Sequence, residues 1–150
     1  MLDPIDLKIL GLLEKDARLS NQAIGDAVGL TSSSVFERVK KLEKKGVIRG
    51  YTAVIDPAAV GRPITAFIRL MVGASRAPRS VAEICRVEPE VLECHHVAGE
   101  DCYILKVRTD TPQGLERLVE RLRQESEVQR SVTSIVFSTA KESTAVVIEG

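Results

Sequence analysis

The chain is poor in the residues on which several common functions depend. It has no tryptophan, and aromatic residues make up only 3% of its 150 positions. Proteins that bind single-stranded nucleic acid stack bases on aromatic side chains, so this composition argues against that function. No apolar run approaches the roughly 20 residues of a membrane span. Because the start "MLDPID" is acidic and unlike a signal peptide, we expect a cytoplasmic protein without a membrane partner.

Cysteine and histidine are also scarce, with three cysteines and two histidines. The cysteines lack the spacing of a zinc site, and we expect reduced thiols. One group of residues nevertheless invites a metal hypothesis: Cys94, His95, His96, Glu100, Asp101 and Cys102. Alternation along a strand would place Cys94 and His96 on one face and His95 on the other, so these ligands would not converge without help from Glu100, Asp101 or Cys102. A polar strand end is the better interpretation, and no metal is predicted.

The sequence offers no obvious catalytic machinery. Neither a nucleophile with a neighbouring base nor a pair of acids stands out. The run Ser32 to Ser34 is explained more simply by the start of a helix. We therefore predict no catalytic residues, no enzyme activity and no cofactor.

Charge is balanced over the chain but unevenly distributed. Lysine and arginine together number 21, and aspartate and glutamate together also number 21. Between residues 38 and 49 the only acid is Glu43, whereas the basic residues are Arg38, Lys40, Lys41, Lys44, Lys45 and Arg49. Such a segment indicates local contact with a polyanion, with a merely solvated helix face as the alternative.

The first fifty residues repeat one helix-start pattern three times, in "LDPIDL", "LSNQAI" and "LTSSSV". Asp3, Ser20 and Thr31 are predicted N-caps, each flanked by apolar residues that can form a hydrophobic staple. Gly29 and Gly46 are predicted to end the second and third helices. A short helix, a tight turn and a longer helix form a helix-turn-helix motif. The β-like run "VIRGYTAVI" that follows is expected to form a wing or a leading strand.

In a helix-turn-helix motif the amino-terminal end of the second helix enters the major groove of DNA. Hydroxyl groups there can donate to phosphates or base edges, lysine and arginine suit phosphate or guanine, and glutamate can accept from cytosine. The alternative is that the serines are only solvent-exposed. The predicted DNA-binding residues are Thr31, Ser32, Ser33, Ser34, Glu37, Arg38, Lys40 and Lys41.

The second half alternates strands and helices after the Pro- and Gly-rich stretch "DPAAVGRP". The order β-α-β-β-α-β predicts a ferredoxin-like domain and an α+β fold class. We expect a winged helix-turn-helix domain at 1–50, a linker strand and loop at 51–63, and the ferredoxin-like domain at 64–150. "TAVVI" near the end could pair on a sheet edge. Phe67 and Met71 point to the sheet face without helices, which predicts a homodimer.

The chain resembles the Lrp/AsnC family of leucine-responsive, or feast/famine, transcriptional regulators. The resemblance rests on "LDPIDLKIL", "GLTSSSVFERVKKLEKKGVIRGYTAVIDPAAVG", "PEVLECHHVAGEDCYILKVRT" and "VTSIVFS". It implies a sequence-specific regulator of double-stranded DNA whose ferredoxin-like domain binds an amino-acid effector. It also implies homodimers that assemble further, often as a tetramer of dimers, an octamer, with effector sites between neighbouring dimers.

The effector turn departs from the family pattern. The usual aspartate position holds Cys102, and the acid stands one place earlier at Asp101, so effector identity cannot be transferred. The residues assigned to the effector are Gly99, Glu100, Asp101, Cys102 and, as a hydroxyl on a facing strand, Ser134. An architectural DNA-binding protein without any effector is the alternative function.

Overall fold

The computed structural model describes residues 2–73, 79–99, 102–126 and 128–148. The chain divides into two compact units. The N-terminal unit comprises Met1–Val54 and Lys141–Gly150, and the sheet unit comprises Ile55–Ala140. The helices and strands, in chain order, are α1 Pro4–Lys15, α2 Asn21–Val28, α3 Ser32–Lys44, β1 Ile64–Val72, α4 Val81–Val87, β2 Val91–His96, β3 Tyr103–Thr109, α5 Pro112–Glu125 and β4 Val128–Ile135.

Each of the first three helices begins at its predicted cap. The Asp3 carboxylate accepts from the backbone N–H of Asp6, and the Ser20 hydroxyl accepts from Ala23. These bonds satisfy backbone donors that the first helical turn leaves without partners. Ile9, Ile24 and Val35, one from each helix, are fully buried and form the centre of the unit's small core.

The carboxyl-terminal residues of the chain pack on this helical unit. The Val146 N–H donates to Glu14 Oε1 at 2.7 Å, and Ile148 lines a shallow cavity with Leu7, Leu12 and Val28. Residues 141–148, all described, form no strand. The prediction of an edge strand at "TAVVI" is therefore wrong. Its last residue, Ile148, lies on the helical surface rather than on the sheet.

The third helix ends with a left-handed glycine, as predicted. Gly46 has φ +69°, and the Val47 N–H donates back to the Leu42 carbonyl at 3.0 Å, which closes a Schellman-type cap. Beyond it, residues 47–56, all described, form no strand, contrary to expectation. A strand needs a hydrogen-bonded neighbour, and none of the described strands pairs with this segment, in which Val54 is 99% exposed.

The sheet unit has the predicted βαββαβ order. Its four strands are all antiparallel and lie in the order β2-β3-β1-β4. The central strands pair with Leu70 opposite Tyr103 and Ile64 opposite Thr109. This is the ferredoxin-like arrangement, and the fold class is α+β, as expected from the sequence.

One face of the sheet carries the main core. Alternate side chains of β1 and β3 are fully buried against α4 and α5; these are Ala66, Ile68, Leu70, Leu105 and Val107. The helices contribute buried apolar residues such as Leu118 and Leu122. No described helix of the sheet unit lies against the opposite face, and Phe67 is 42% exposed there. No described helix is long and apolar enough to cross a membrane.

Candidate nucleic-acid interface and effector turn

The turn between α2 and α3 is held by a close approach of backbone to backbone. Gly29 adopts φ +74°, and the Leu30 N–H donates to the Gly25 carbonyl at 2.9 Å. A Cβ on Gly25 would lie only 2.5 Å from the Leu30 carbonyl oxygen. A side chain at this position would therefore force the two helices apart. Because Gly25 has no side chain, α3 can start directly beside α2.

The start of α3 carries a small network of hydroxyl groups. The Thr31 hydroxyl accepts from the Ser34 N–H at 3.2 Å and contacts the hydroxyls of Ser34 at 2.8 Å and Ser33 at 3.1 Å. Ser32 is half-buried, whereas the other three are exposed. The first turn thus presents organised donors and acceptors at the positive end of the helix dipole.

The body of α3 separates an apolar inner face from a polar outer face. Val35 and Leu42 are buried. Residues at helical spacing on the opposite side are exposed: Ser33, Glu37, Lys40, Lys41 and Lys44. The outer face combines hydroxyl, carboxylate and ammonium groups, which is the chemistry that reads and holds DNA.

Arg38 occupies a different position from the other predicted DNA-binding residues. Its Nη1 lies 2.6 Å from Asp3 Oδ2 and 2.7 Å from Asp6 Oδ1. This guanidinium lowers the pKa of the Asp3 carboxyl below its ordinary 3.8, and the two acids raise the pKa of Arg38. The structure therefore ties α3 to the start of α1 through Arg38, whereas the sequence had suggested a DNA phosphate or guanine as its partner.

Phe36 is a prominent residue of this surface that sequence reasoning missed. It is 49% exposed, and the Lys40 ammonium lies 5.6 Å from its ring centroid. A helical wheel places Phe36 about 100° from the buried Val35, at the edge of the polar arc. The i, i+4 spacing from Phe36 to Lys40 is also visible in the sequence.

The predicted effector residues are brought together only in part. Gly99 has φ +138° in the turn after β2, and Cys102 closes that turn, with its carbonyl accepting from the Val97 N–H at 2.9 Å. The Cys102 N–H in turn donates to the Leu70 carbonyl at 2.9 Å, which fixes the turn to the end of β1. Glu100 and Asp101 lie outside the described residues.

Ser134 lies apart from this turn within a single chain. It pairs with Phe67 on β1, whereas Tyr103, next to the turn, pairs with Leu70 on the other side of β1. The two pairings are offset by three residues, which is roughly 10 Å at the rise of an extended strand. The structure therefore does not place the Ser134 hydroxyl beside Gly99 in one protomer.

The cysteine and histidine group shows no metal centre among the described residues. His96 packs against the Tyr103 ring, and His95 lies 3.3 Å from Glu93. Burial, with a smaller contribution from neighbouring Cys94, raises the pKa of Cys85 to about 12. This thiol is therefore protonated at neutral pH and is neither a ready nucleophile nor a ready metal ligand.

Comparison with known families assigns both units. Residues 65–146 match the Lrp/AsnC ligand binding domain, and residues 2–49 match a winged helix-turn-helix DNA-binding domain. The chain belongs to the Lrp/AsnC family. The chain is also similar to individual transcriptional regulators over nearly its full length. HTH-type transcriptional regulator FL11 of Pyrococcus furiosus is 33% identical over 144 residues, covering 96% of this chain and 95% of the relative.

Two further similarities agree with the assignment to Lrp/AsnC. HTH-type transcriptional regulator AldR of Mycobacterium tuberculosis is 39% identical over 139 residues, or 91% of this chain and 78% of AldR. A transcriptional regulator of Neisseria meningitidis, solved in complex with L-Met, has a TM-score of 0.91 at 32% identity, covering 98% of this chain and 97% of that one. This Lrp/AsnC member is accordingly a transcriptional regulator with a helix-turn-helix and a ligand-binding domain, not an enzyme.

Proposed function

We propose that this regulator binds specific double-stranded DNA sites through α3 and that an amino acid modulates its assembly or its DNA affinity. The observation that carries the proposal is the exposed face of α3, with its hydroxyl network at the start and Lys40 and Lys41 farther along. The same chain carries a ligand-binding domain. The proposal includes a cytoplasmic location, where DNA and reduced thiols coexist.

In the proposed complex the first turn of α3 enters the major groove. Thr31, Ser33 and Ser34 supply hydroxyls, and Glu37 supplies an acceptor for base edges. Lys40 and Lys41 neutralise phosphates on the flanks of the groove. We assign supporting roles to two of the predicted DNA-binding residues: Ser32 is half-buried in the first turn, and Arg38, which donates to Asp3 and Asp6, would orient the helix.

The proposed partner for the open sheet face is a second copy of this chain. Four apolar side chains occupy this face on the three strands β1, β3 and β4: Phe67, Met71, Ile104 and Val132. A two-fold pairing would cover the patch on both copies at once. It would also present two α3 helices to a palindromic site. Further assembly of dimers, up to an octamer, is part of the proposal, with effector sites between dimers.

Support for an amino-acid effector comes from the ligand-binding family and from the L-Met complex of the Neisseria relative. In this chain the backbone at Gly99 would contact such a ligand, and Asp101 would supply a carboxylate for its ammonium, whereas the backbone groups of Cys102 already bond to Val97 and Leu70. Ser134 could join the site only from another protomer. An effector-independent architectural DNA-binding protein remains the second candidate, and ligand titration separates the two.

The DNA-binding proposal is tested by selecting a high-affinity duplex from a random pool and measuring its dissociation constant at several salt concentrations. Lys41→Ala should weaken binding and reduce the slope of log affinity against log salt by about one, the value expected for one lost phosphate contact. Lys15→Ala removes the same charge from exposed α1 and should leave the slope unchanged. Equal slopes for Lys41→Ala and the parent protein would contradict the phosphate assignment.

The effector proposal is tested by a thermal-shift screen against all twenty amino acids, because a ligand of the folded state raises the apparent Tm. Any amino acid that raises the Tm is then titrated into the DNA-binding assay and into a light-scattering measurement of assembly size. Asp101→Ala should remove the response and leave DNA binding intact. If no amino acid changes Tm, affinity or size, the architectural alternative is favoured.

A further inference from the structure

Phe36 is an unusual residue for the outer surface of a polar helix. The structure describes all of α3, and Phe36 is the only large apolar side chain of that helix that is exposed. Its neighbours on the exposed arc are Ser33, Glu37 and Lys40. A single exposed apolar side chain is common on protein surfaces, so the position of this ring matters because it lies on the helix proposed to enter the major groove.

The ring is also held in place. The Lys40 ammonium lies 5.6 Å from the ring centroid, within the range of a cation–π contact. The contact engages one face of the ring and keeps the ammonium beside it. Such a contact restricts the ring and so reduces the freedom that the side chain loses on binding.

The chemistry of the major groove limits what such a ring could contact. Donors and acceptors line every base pair there, and the apolar group on a base edge is the C5-methyl of thymine. We propose that Phe36 of α3 contacts a thymine C5-methyl in the major groove and so makes the regulator prefer a thymine at one position of each half-site. This inference rests on the proposed DNA-binding function and adds a specificity-determining residue to it.

In this arrangement, base reading and contact with the phosphate backbone would fall to two neighbouring side chains. Phe36 would read the methyl, while Lys40, held over the ring, would lie toward the phosphate backbone. Burial of one methyl-sized group corresponds to about a fourfold change in affinity. We therefore expect about fourfold weaker binding for each contacted thymine that loses its methyl.

The test replaces thymine by deoxyuridine, which removes the methyl and leaves the hydrogen-bonding edge unchanged. In the selected duplex, each thymine is replaced in turn, and the dissociation constant is measured with the parent protein and with Phe36→Ala. The parent protein should lose about fourfold affinity at one position of each half-site. Phe36→Ala should bind thymine and deoxyuridine duplexes equally well at that position.

Two controls keep the interpretation clear. Phe137→Ala truncates a fully exposed phenylalanine of the sheet unit and should retain the parent's preference for thymine. Phe36→Leu keeps an apolar side chain and should retain part of the preference. If Phe36→Ala does not fold, the parent protein and Phe36→Leu still provide the comparison.

The outcomes separate this inference from the function on which it rests. Equal binding of thymine and deoxyuridine duplexes by the parent protein would refute the methyl contact and leave DNA binding intact. Loss of the preference in Phe137→Ala as well as in Phe36→Ala would refute the assignment to Phe36. Failure of the parent protein to bind any duplex would overturn the proposed function and this inference with it.

Discussion

The two units of the molecule are stabilised in different ways. The sheet unit buries a cluster of eleven described residues between one sheet face and two helices. The cluster at the centre of the N-terminal unit has three buried residues, Ile9, Ile24 and Val35, surrounded by partly buried neighbours. Both units have helix caps and ion pairs, such as the Ser80 capping box and the Arg121–Glu90 pair of the sheet unit. In the helical unit the caps, the Gly25–Leu30 approach and the Arg38 ion pairs accompany a much smaller core.

This difference matches what each unit has to expose. A helix that reads DNA must leave most of one side in water, so it can bury only a narrow stripe such as Val35 and Leu42. Specific hydrogen bonds and ion pairs then set its orientation. The sheet unit has a full core on one face and can leave the other face open for the proposed second copy of the chain.

The largest expected effect comes from the core of the sheet unit. Leu118→Ala removes a fully buried side chain and should lower the free energy of unfolding by about 2–5 kcal/mol. Urea denaturation followed by circular dichroism measures the change. Val87→Ala truncates an exposed residue of the same unit and should change stability by less than about 0.5 kcal/mol. Similar losses for the two variants would contradict the assigned core.

A matched pair of glycines tests the turn in the N-terminal unit. Gly25→Ala places a Cβ against the Leu30 carbonyl and should destabilise the unit by about 1–3 kcal/mol. Gly11→Ala meets no atom within 4 Å in α1 and should stabilise it by about 0.5–1 kcal/mol. Thermal unfolding of both variants checks the signs. If both substitutions stabilise the protein, the close approach at Gly25 is not tight.

Local features of the fold were predictable from the sequence because their causes are local. The caps Asp3, Ser20 and Thr31 act within three residues, and all three were correctly placed. Period-two alternation likewise predicted the buried face of β1. The same reasoning produced the wrong strands at 47–55 and 144–148, because a strand also needs a neighbour that alternation does not identify.

The candidate site was predictable only in outline. Helical spacing placed Arg38 near the exposed face, yet its acidic partners lie 35 and 32 residues earlier in the chain. No local pattern identifies such a contact. Phe36 was overlooked because an apolar residue in a helix is usually assigned to the core. The order of the strands along the chain also could not show that β1 separates Ser134 from the effector turn.

A smaller effect is expected from the ion pairs that hold α3. Arg38→Met should lower the Tm of the N-terminal unit by a few degrees at pH 7, and less at high salt, which screens charge. Because Arg38 lowers the pKa of Asp3, this stabilisation is full above the unfolded value of 3.8 and is lost as pH falls through the folded value. The difference in Tm between the two proteins should therefore shrink below pH 3.8.

The same variant distinguishes positioning from phosphate contact. If Arg38 orients α3, Arg38→Met should weaken DNA binding without changing its salt slope, in contrast to Lys41→Ala. A slope reduced by about one would show that Arg38 also holds a phosphate. Such a result would make the outer face of α3 more basic than the ion pairs with Asp3 and Asp6 indicate.

The smallest effect is expected where the carboxyl-terminal residues add to the small helical core. Ile148 is half-buried against Leu7 and Leu12, so Ile148→Ala should cost less than about 1 kcal/mol, a fraction of the value for full burial. Val147→Ala, at an exposed neighbouring position, should cost nothing measurable. The loss should appear in the unfolding of the N-terminal unit and become smaller when Leu7 is also replaced by alanine, because the two side chains line the same cavity. An equal loss for Ile148→Ala in both backgrounds would mean that Ile148 does not act through the cavity that it lines with Leu7.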